Sequence, residues 1–207
     1  MRGLVPDALV VTGEAHRDEE VLARLRALEI DYLLSVHYPR LFPRPLLDVP
    51  RVAAVNLHPA WLPFNRGWHT PSWAILDGTP YGATLHWMVE EADAGDIAVR
   101  RELVVSPADT ANSLYQKVLE TELEVLREAI PQMASRTLPR IPQEPDGTRH
   151  RRRELEAARV LDGDASLPVR RTLDVLRALT TSVPAEAALV TIDGRRYRVR
   201  VEITPDE

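Results

Sequence analysis

Residues 51–63 read RVAAVNLHPAWLP, and this stretch decides the fold. The apolar run 51–57 has the composition of a buried strand, and it passes without a spacer into His58-Pro59. Proline brings no N–H to a ladder, so the strand stops there and leaves His58 at its carboxyl end. Asn56 and His58 are two apart, which puts both on one face of an extended chain. In open α/β sheets ligands collect beyond the carboxyl ends of the strands. An amide donor beside an imidazole at such a place suits acyl transfer. The same two side chains can equally satisfy backbone groups at a strand end.

Upstream, residues 31–36 (DYLLSV) read as a second strand and residues 8–12 (ALVVT) as another. Between them Asp18 can cap a helix with Glu19 and Glu20 in its first turn, and Val21, Leu22, Leu25 and Leu28 form its apolar stripe. The proline-rich segment 39–50 is irregular or holds one helical turn. Strand, helix, strand, turn, strand is the rhythm of an α/β sheet with parallel members.

Downstream, residues 61–68 form a loop. Thr70 is placed to cap a short helix with Pro71 at its start and Asp77-Gly78 at its end. Strands over 82–89 and 97–105 follow, joined by EEADAGD. Leu114, Val118, Leu119, Leu123, Leu126 and Ile130 recur at helical spacing, and Pro131 should end or kink that helix. Prolines 139, 142 and 145 and a run of arginines mark 135–163 as a connector over the surface. An amphipathic helix over 167–180 and a hairpin turning at Asp193-Gly194 complete the chain. The expected division is 1–134, 135–166 and 167–207.

The chain has 207 residues, no cysteine and a net charge of -5. Disulfides, thiol nucleophiles and thiolate metal sites are thereby excluded, and a generic nucleic-acid binder is disfavoured because phosphate binding needs a positive field. No apolar run reaches the roughly 18–20 residues of a membrane span. The opening MRGLVPDALVV, with one arginine and a Pro-Asp break, is unlike a secretory signal. The expected place of work is the cytoplasm. Two further features carry chemistry. Asp93, on a loop with Gly95, can face a histidine and accept a proton, or belong to a solvated acidic turn. The run PFNRGWHTP, with Arg66, Trp68 and His69, can grip a planar or anionic ligand, or plug the core edge with its tryptophan. His86, on one strand face with Thr84 and Met88, reads first as a packed histidine and otherwise as a supporting residue beside the Asp93 loop. Arg149 and arginines 151–153 read as a solvated surface rather than a phosphate site. His58, His69 and His86 fit no usual zinc spacing.

Taken together, NLHPAWLPFNRG, WAILDGTPYGATLH and EEADAGDI resemble the folate-dependent formyltransferases, over residues 8–130. The wording of PFNRGWHTPSWAILDGTPYGATLH is most similar to that of the sugar-nucleotide N-formyltransferases. The resemblance implies a Rossmann-like α/β formyltransferase sheet followed by a small helix-plus-hairpin tail. It implies N10-formyltetrahydrofolate as formyl donor, no metal, and Asn56, His58 and Asp93 as the catalytic trio. It places the folate at Arg40, Leu41, Phe42, Leu47, Val89, Glu90 and Glu91, and leaves Arg66, Trp68 and His69 to the acceptor. The acceptor is expected to be a small-molecule primary amine, foremost a nucleotide-linked amino sugar. Methionyl-tRNA or an amino acid is the alternative, as is a noncatalytic folate-binding protein.

Two departures from that family bear on these expectations. Its members begin with an additional strand–helix–strand unit of about 30 residues, whereas this chain opens at what reads as a later strand. A start placed too late is one explanation; a truncation completed by a partner or a second copy is the other. The piece after Ser135 is also too small for the tRNA-binding domain of methionyl-tRNA formyltransferase. It is similar to the sugar-enzyme tail, expected to serve a homodimer contact or to pack on the catalytic part.

Overall fold

The computed structural model describes residues 18–206. The strand expected over 8–12 lies outside them. Helix α1 (Glu19–Ala27) starts where Asp18 accepts hydrogen bonds from the amides of Glu20 and Val21, at 2.9 and 3.4 Å. Its Leu22 and Leu25 pack with Leu46 and Val49, while Leu28 lies past the last helical residue and is exposed. Strand β1 (Tyr32–Val36) follows. The proline-rich segment holds one helical turn, α2 (Arg44–Leu47), entered through Pro43. Strand β2 (Ala53–His58) ends at the His-Pro step.

After a loop come the two-residue β3 (Arg66–Gly67) and α3 (Thr70–Asp77), which closes on Gly78 at φ 64°. The expected cap is corrected here. Thr70 lies inside the helix and His69 holds the cap position at φ 59°. The Thr70 hydroxyl instead donates to the Pro59 carbonyl, so it ties the helix start to the end of β2. Strands β4 (Gly82–Trp87) and β5 (Ile97–Glu102) precede the long α4 (Ala111–Ala134). Thr110 and Ser113 cap α4 reciprocally. Pro131 does not end it. It sits in the last turn, where a single N–H is lost and the Ser135 amide still reaches the Pro131 carbonyl.

The main sheet runs β1-β2-β4-β5. Strand β2 is parallel to β1, and β4 is antiparallel to both β2 and β5. One face of this mixed sheet is covered by α4, whose Leu114, Val118, Val125 and Leu126 pack with Val55, Tyr81, Leu85 and Val99. Burial of each such leucine or valine stabilises the fold by about 1.5–3 kcal/mol.

The stretch read as a connector over the surface carries short elements of its own. It contains β6 (Arg149–His150), parallel to β3, then α5 (Arg152–Ala158) and β7 (Val160–Leu161). Irregular chain fails to announce such a role, because its hydrogen bonds go to other loops and leave no periodic pattern. Helix α6 (Val169–Ala178) and the hairpin β8 (Ala188–Ile192)–β9 (Arg195–Val199) follow. The hairpin turns at Asp193 and Gly194, at φ 49° and 74°, as a primed two-residue turn requires. Strand β7 joins that hairpin as a parallel third strand. Leu155, Leu179 and Ala188 bind this unit to Trp73 and Leu76 of α3.

Candidate active site

A cavity of about 470 Å³ opens at the carboxyl ends of β1 and β2. Asn56 and His58 reach it together because they alternate on β2, and His58 is buried. Across the ladder Asn56 pairs with His86 and His58 with Thr84, which places all four side chains on one face. The register of β4 against β5 slips between Leu85 and His86, an irregularity of the kind that re-aims a side chain.

The polar contacts follow. The His86 ring gives Nδ1–H to the Trp87 carbonyl at 3.0 Å, so its Nε2 faces the site. Asn56 donates one amide N–H to that Nε2 at 3.2 Å and keeps a second. His58 gives Nε2–H to the Asn65 carbonyl at 3.2 Å, which leaves Nδ1 for exchange. Asp93 stands between the rings. Its Oδ1 lies 3.7 Å from His58 Nδ1 and 3.5 Å from His86 Nε2, and its Oδ2 accepts from the Gly67 amide at 2.8 Å. Burial by itself would raise the pKa of this carboxyl. The facing His58 and His86 rings and the Gly67 amide outweigh burial and hold it well below the usual carboxylate range. Asp93 is therefore an anion at every working pH. Among the described residues, no group of three or more His, Asp or Glu is arranged to hold a metal ion.

The loop after β2 is held from several directions. Thr84 donates to the Ala60 carbonyl at 2.7 Å and accepts from the Leu62 amide at 3.2 Å. Asn65, buried and at φ 57°, donates its side-chain amide to Thr79 and its backbone amide to Thr148, both at 2.8 Å. Those bonds fix the carbonyl that His58 meets. Sequence reasoning passed over Asn65 and Thr148 and kept His86 as a supporting candidate behind a packing role. Its cross-strand position opposite Asn56 is the signal that raises it.

Of the residues expected at the donor pocket, Arg40, Leu41, Phe42, Val89, Glu90 and Glu91 line the cavity beside the catalytic candidates. Leu41 and Val89 are 65% and 45% exposed, which offers uncovered apolar surface to a flat ring. Leu47 sits on α2 and is not part of the lining. Of the acceptor candidates, Trp68 and His69 line the cavity. Arg66 does not, because its guanidinium donates to Gln143 at 2.8 and 3.2 Å. Burial, and next the Arg159 charge, lower the pKa of His69. Among the described residues its buried Nε2 has no hydrogen-bond partner. At the far wall His37, at φ 49°, meets the buried Glu122 at 2.7 Å.

Comparison with known proteins bears on this arrangement. Residues 7–130 match the family model described as formyl transferase, and residues 154–205 match that of the N-formyltransferase dimerization C-terminal domain. A dTDP-4-amino-4,6-dideoxyglucose formyltransferase of Mycobacterium tuberculosis (strain ATCC 25618 / H37Rv) is 30% identical over 193 residues, 93% of this chain and 80% of that protein. A methionyl-tRNA formyltransferase of Listeria monocytogenes (serotype 4a, strain HCC23) is 30% identical over 190 residues, 90% of this chain but 58% of its own. Among solved structures, a 4-N formyltransferase from Francisella tularensis has a TM-score of 0.80 at 28% identity, covering 89% of this chain and 77% of that one. A sugar N-formyltransferase from Shewanella sp FDAARGOS_354 has a TM-score of 0.83 at 25% identity, over 93% and 77%.

Proposed function

The chain belongs to the formyl transferase family, and from that premise we propose that it carries a formyl group from N10-formyltetrahydrofolate to the primary amine of a nucleotide-linked amino sugar. The observation that carries this reading is the convergence of Asn56, His58 and Asp93 on one cavity, with His86 between them.

The bound folate supplies an activated formyl carbon: a new bond forms to the acceptor nitrogen, the bond to N10 breaks, and one proton passes from the amine to N10. The residues divide the work around that exchange. The second amide N–H of Asn56 is free to donate to the carbonyl oxygen as negative charge builds on it, a contribution often of a few kcal/mol. Its other N–H is held by His86, which fixes the direction of the amide. His58 holds the travelling proton at Nδ1, since Nε2–H is committed to Asn65. Asp93 stabilises the imidazolium while that proton is in hand.

The donor wall is assigned to Arg40, Leu41, Phe42, Val89, Glu90 and Glu91, where exposed apolar surface suits a pterin ring. Trp68 and His69 are assigned to the acceptor. The neutral imidazole of His69, a residue of the cavity wall, suits a sugar hydroxyl. The match of residues 154–205 to the N-formyltransferase dimerization C-terminal domain favours the amino-sugar acceptor over the methionyl-tRNA alternative.

The catalytic unit is assigned to residues 1–134 and the accessory unit to 167–207. The latter is proposed to join two copies, in keeping with its dimerization-domain match. Exposed Val169, Leu173, Ile192 and Tyr197 supply an apolar surface for that contact. The test is formamide production from dTDP- and UDP-linked amino sugars with N10-formyltetrahydrofolate. Formamide on at least one of them is expected. Absence of product from all, with folate bound, would overturn the reading.

A further inference from the structure

The catalytic candidates come from β2 and from the turn between β4 and β5; the Met88 amide ties the start of that turn to the Ala54 carbonyl of β2 at 2.9 Å, while around Asp93 itself the turn meets the Gly67 amide of β3. A third segment, residues 139–150, crosses both. Thr148 and His150 accept from the amides of Arg66 and Trp68, and Ile141 bridges Ile97 by two backbone hydrogen bonds of 2.7 and 2.9 Å. At its centre is Gln143. Its Nε2 donates to the carbonyls of Asp93 and Gly95, at 2.8 and 2.6 Å. Its Oε1 accepts from Arg66 Nη2 and Nε, at 2.8 and 3.2 Å. Two carbonyls at one end and a guanidinium at the other leave the amide a single sensible orientation.

Asp93 needs such help. It has φ 56°, a left-handed conformation that a residue with a side chain keeps only when its surroundings enforce it. A peptide turned out of that conformation would carry the carboxylate away from both rings. We infer that Gln143 is a positioning residue for formyl transfer. It locks the Asp93 backbone on one side and the Arg66-Gly67 strand on the other, so that the carboxylate stays opposite His58 Nδ1.

This rests on the role proposed above for Asp93, and it goes beyond it by giving a task to a segment remote from the reacting atoms. The side chain is specified by its chemistry. Glutamate keeps the Arg66 contact but brings no donor for the two carbonyls. Leucine keeps the bulk and loses all four contacts.

The test compares Gln143→Glu and Gln143→Leu with wild type. The control is Arg140→Ala, which removes the bond to Asp96 from the same segment without touching Gln143's partners. Two readouts are taken: steady-state kinetics with formyl donor and amino-sugar nucleotide, and amide hydrogen exchange at Gly67. In both Gln143 variants kcat should fall by about tenfold or more while each KM stays within about threefold. Exchange at Gly67 should rise by about tenfold or more, and Arg140→Ala should leave both readouts within about twofold. Unchanged kcat, a loss confined to KM, or unchanged Gly67 exchange overturns the inference. Should Gln143→Leu fail to fold, the near-isosteric Gln143→Glu decides. Loss of the fold in both assigns Gln143 to structure alone and also overturns it. A wild-type protein without turnover on any amine defeats the proposed function instead, and the exchange measurement still judges the brace.

Discussion

Replacing Asp93 with asparagine removes a charge and little else. The side chain keeps its shape and can still accept from the Gly67 amide, so the turn should hold. What disappears is the attraction between the carboxylate and a positive His58 ring. Their atoms stand 3.7 Å apart with both side chains about nine-tenths buried, so water screens the pair poorly; at an effective dielectric near 20 the interaction is about 4 kcal/mol. That attraction exists only while His58 holds the extra proton, so its loss falls on the transition state rather than on substrate binding. At about 1.4 kcal/mol per decade, kcat should drop by about a thousandfold. KM for the formyl donor should change little, because the donor wall is assigned to residues 40–42 and 89–91. The assay is formamide production followed by chromatography over a donor titration, with thermal unfolding as a check on the fold. A variant that keeps kcat within about tenfold of wild type would refute the electrostatic argument. So would a loss expressed mainly in KM.

Other outcomes follow from the same geometry. A methyl at Gly95 would run into the Trp87 carbonyl, so Gly95→Ala should destabilise the fold by about 1–3 kcal/mol in urea titration and lower kcat as the turn shifts. His37 titrates above its usual range, chiefly because Glu122 accepts its hydrogen bond, while burial pulls the other way. The folded state therefore holds this proton after the unfolded chain has released it. The stabilisation is whole below the unfolded value of about 6.5 and fades as pH climbs through the raised folded value. Urea midpoints of wild type should fall across that window, and His37→Gln should flatten the slope; an unchanged slope would remove His37 as its source. Leu173→Arg, on the exposed apolar face of α6, should convert the proposed dimer to monomer in sedimentation experiments without a change in helix content.

The part of the site carried by regular structure was legible before any coordinates. Asn56 and His58 alternate on a strand that a proline ends, and period two dictates that they share a face. Asp18 as a helix cap and Asp193-Gly194 as a primed turn depend on local chemistry and were equally readable. The role expected for Asp93 was different. No spacing ties it to His58, 35 residues earlier, and only resemblance joined them. The bracing segment was least legible of all. Its prolines and arginines look like a solvated linker, and its partners are backbone groups of other loops, which leave no trace in its own sequence. Thr70 misled for a related reason, since a hydroxyl at a helix start has more than one backbone carbonyl or amide to choose from.

The crossing segment also settles where this molecule can be recombined with its relatives. Helix α4 ends at Ala134, and a crossover there would appear to separate two modules cleanly. It would in fact graft a foreign Gln143–His150 stretch across the reaction centre, mismatched to Asn65, Arg66 and Gly95. Chimeras spliced at residue 151, just beyond the β3–β6 pairing, would inherit the stretch with its own partners and should be the ones that retain turnover.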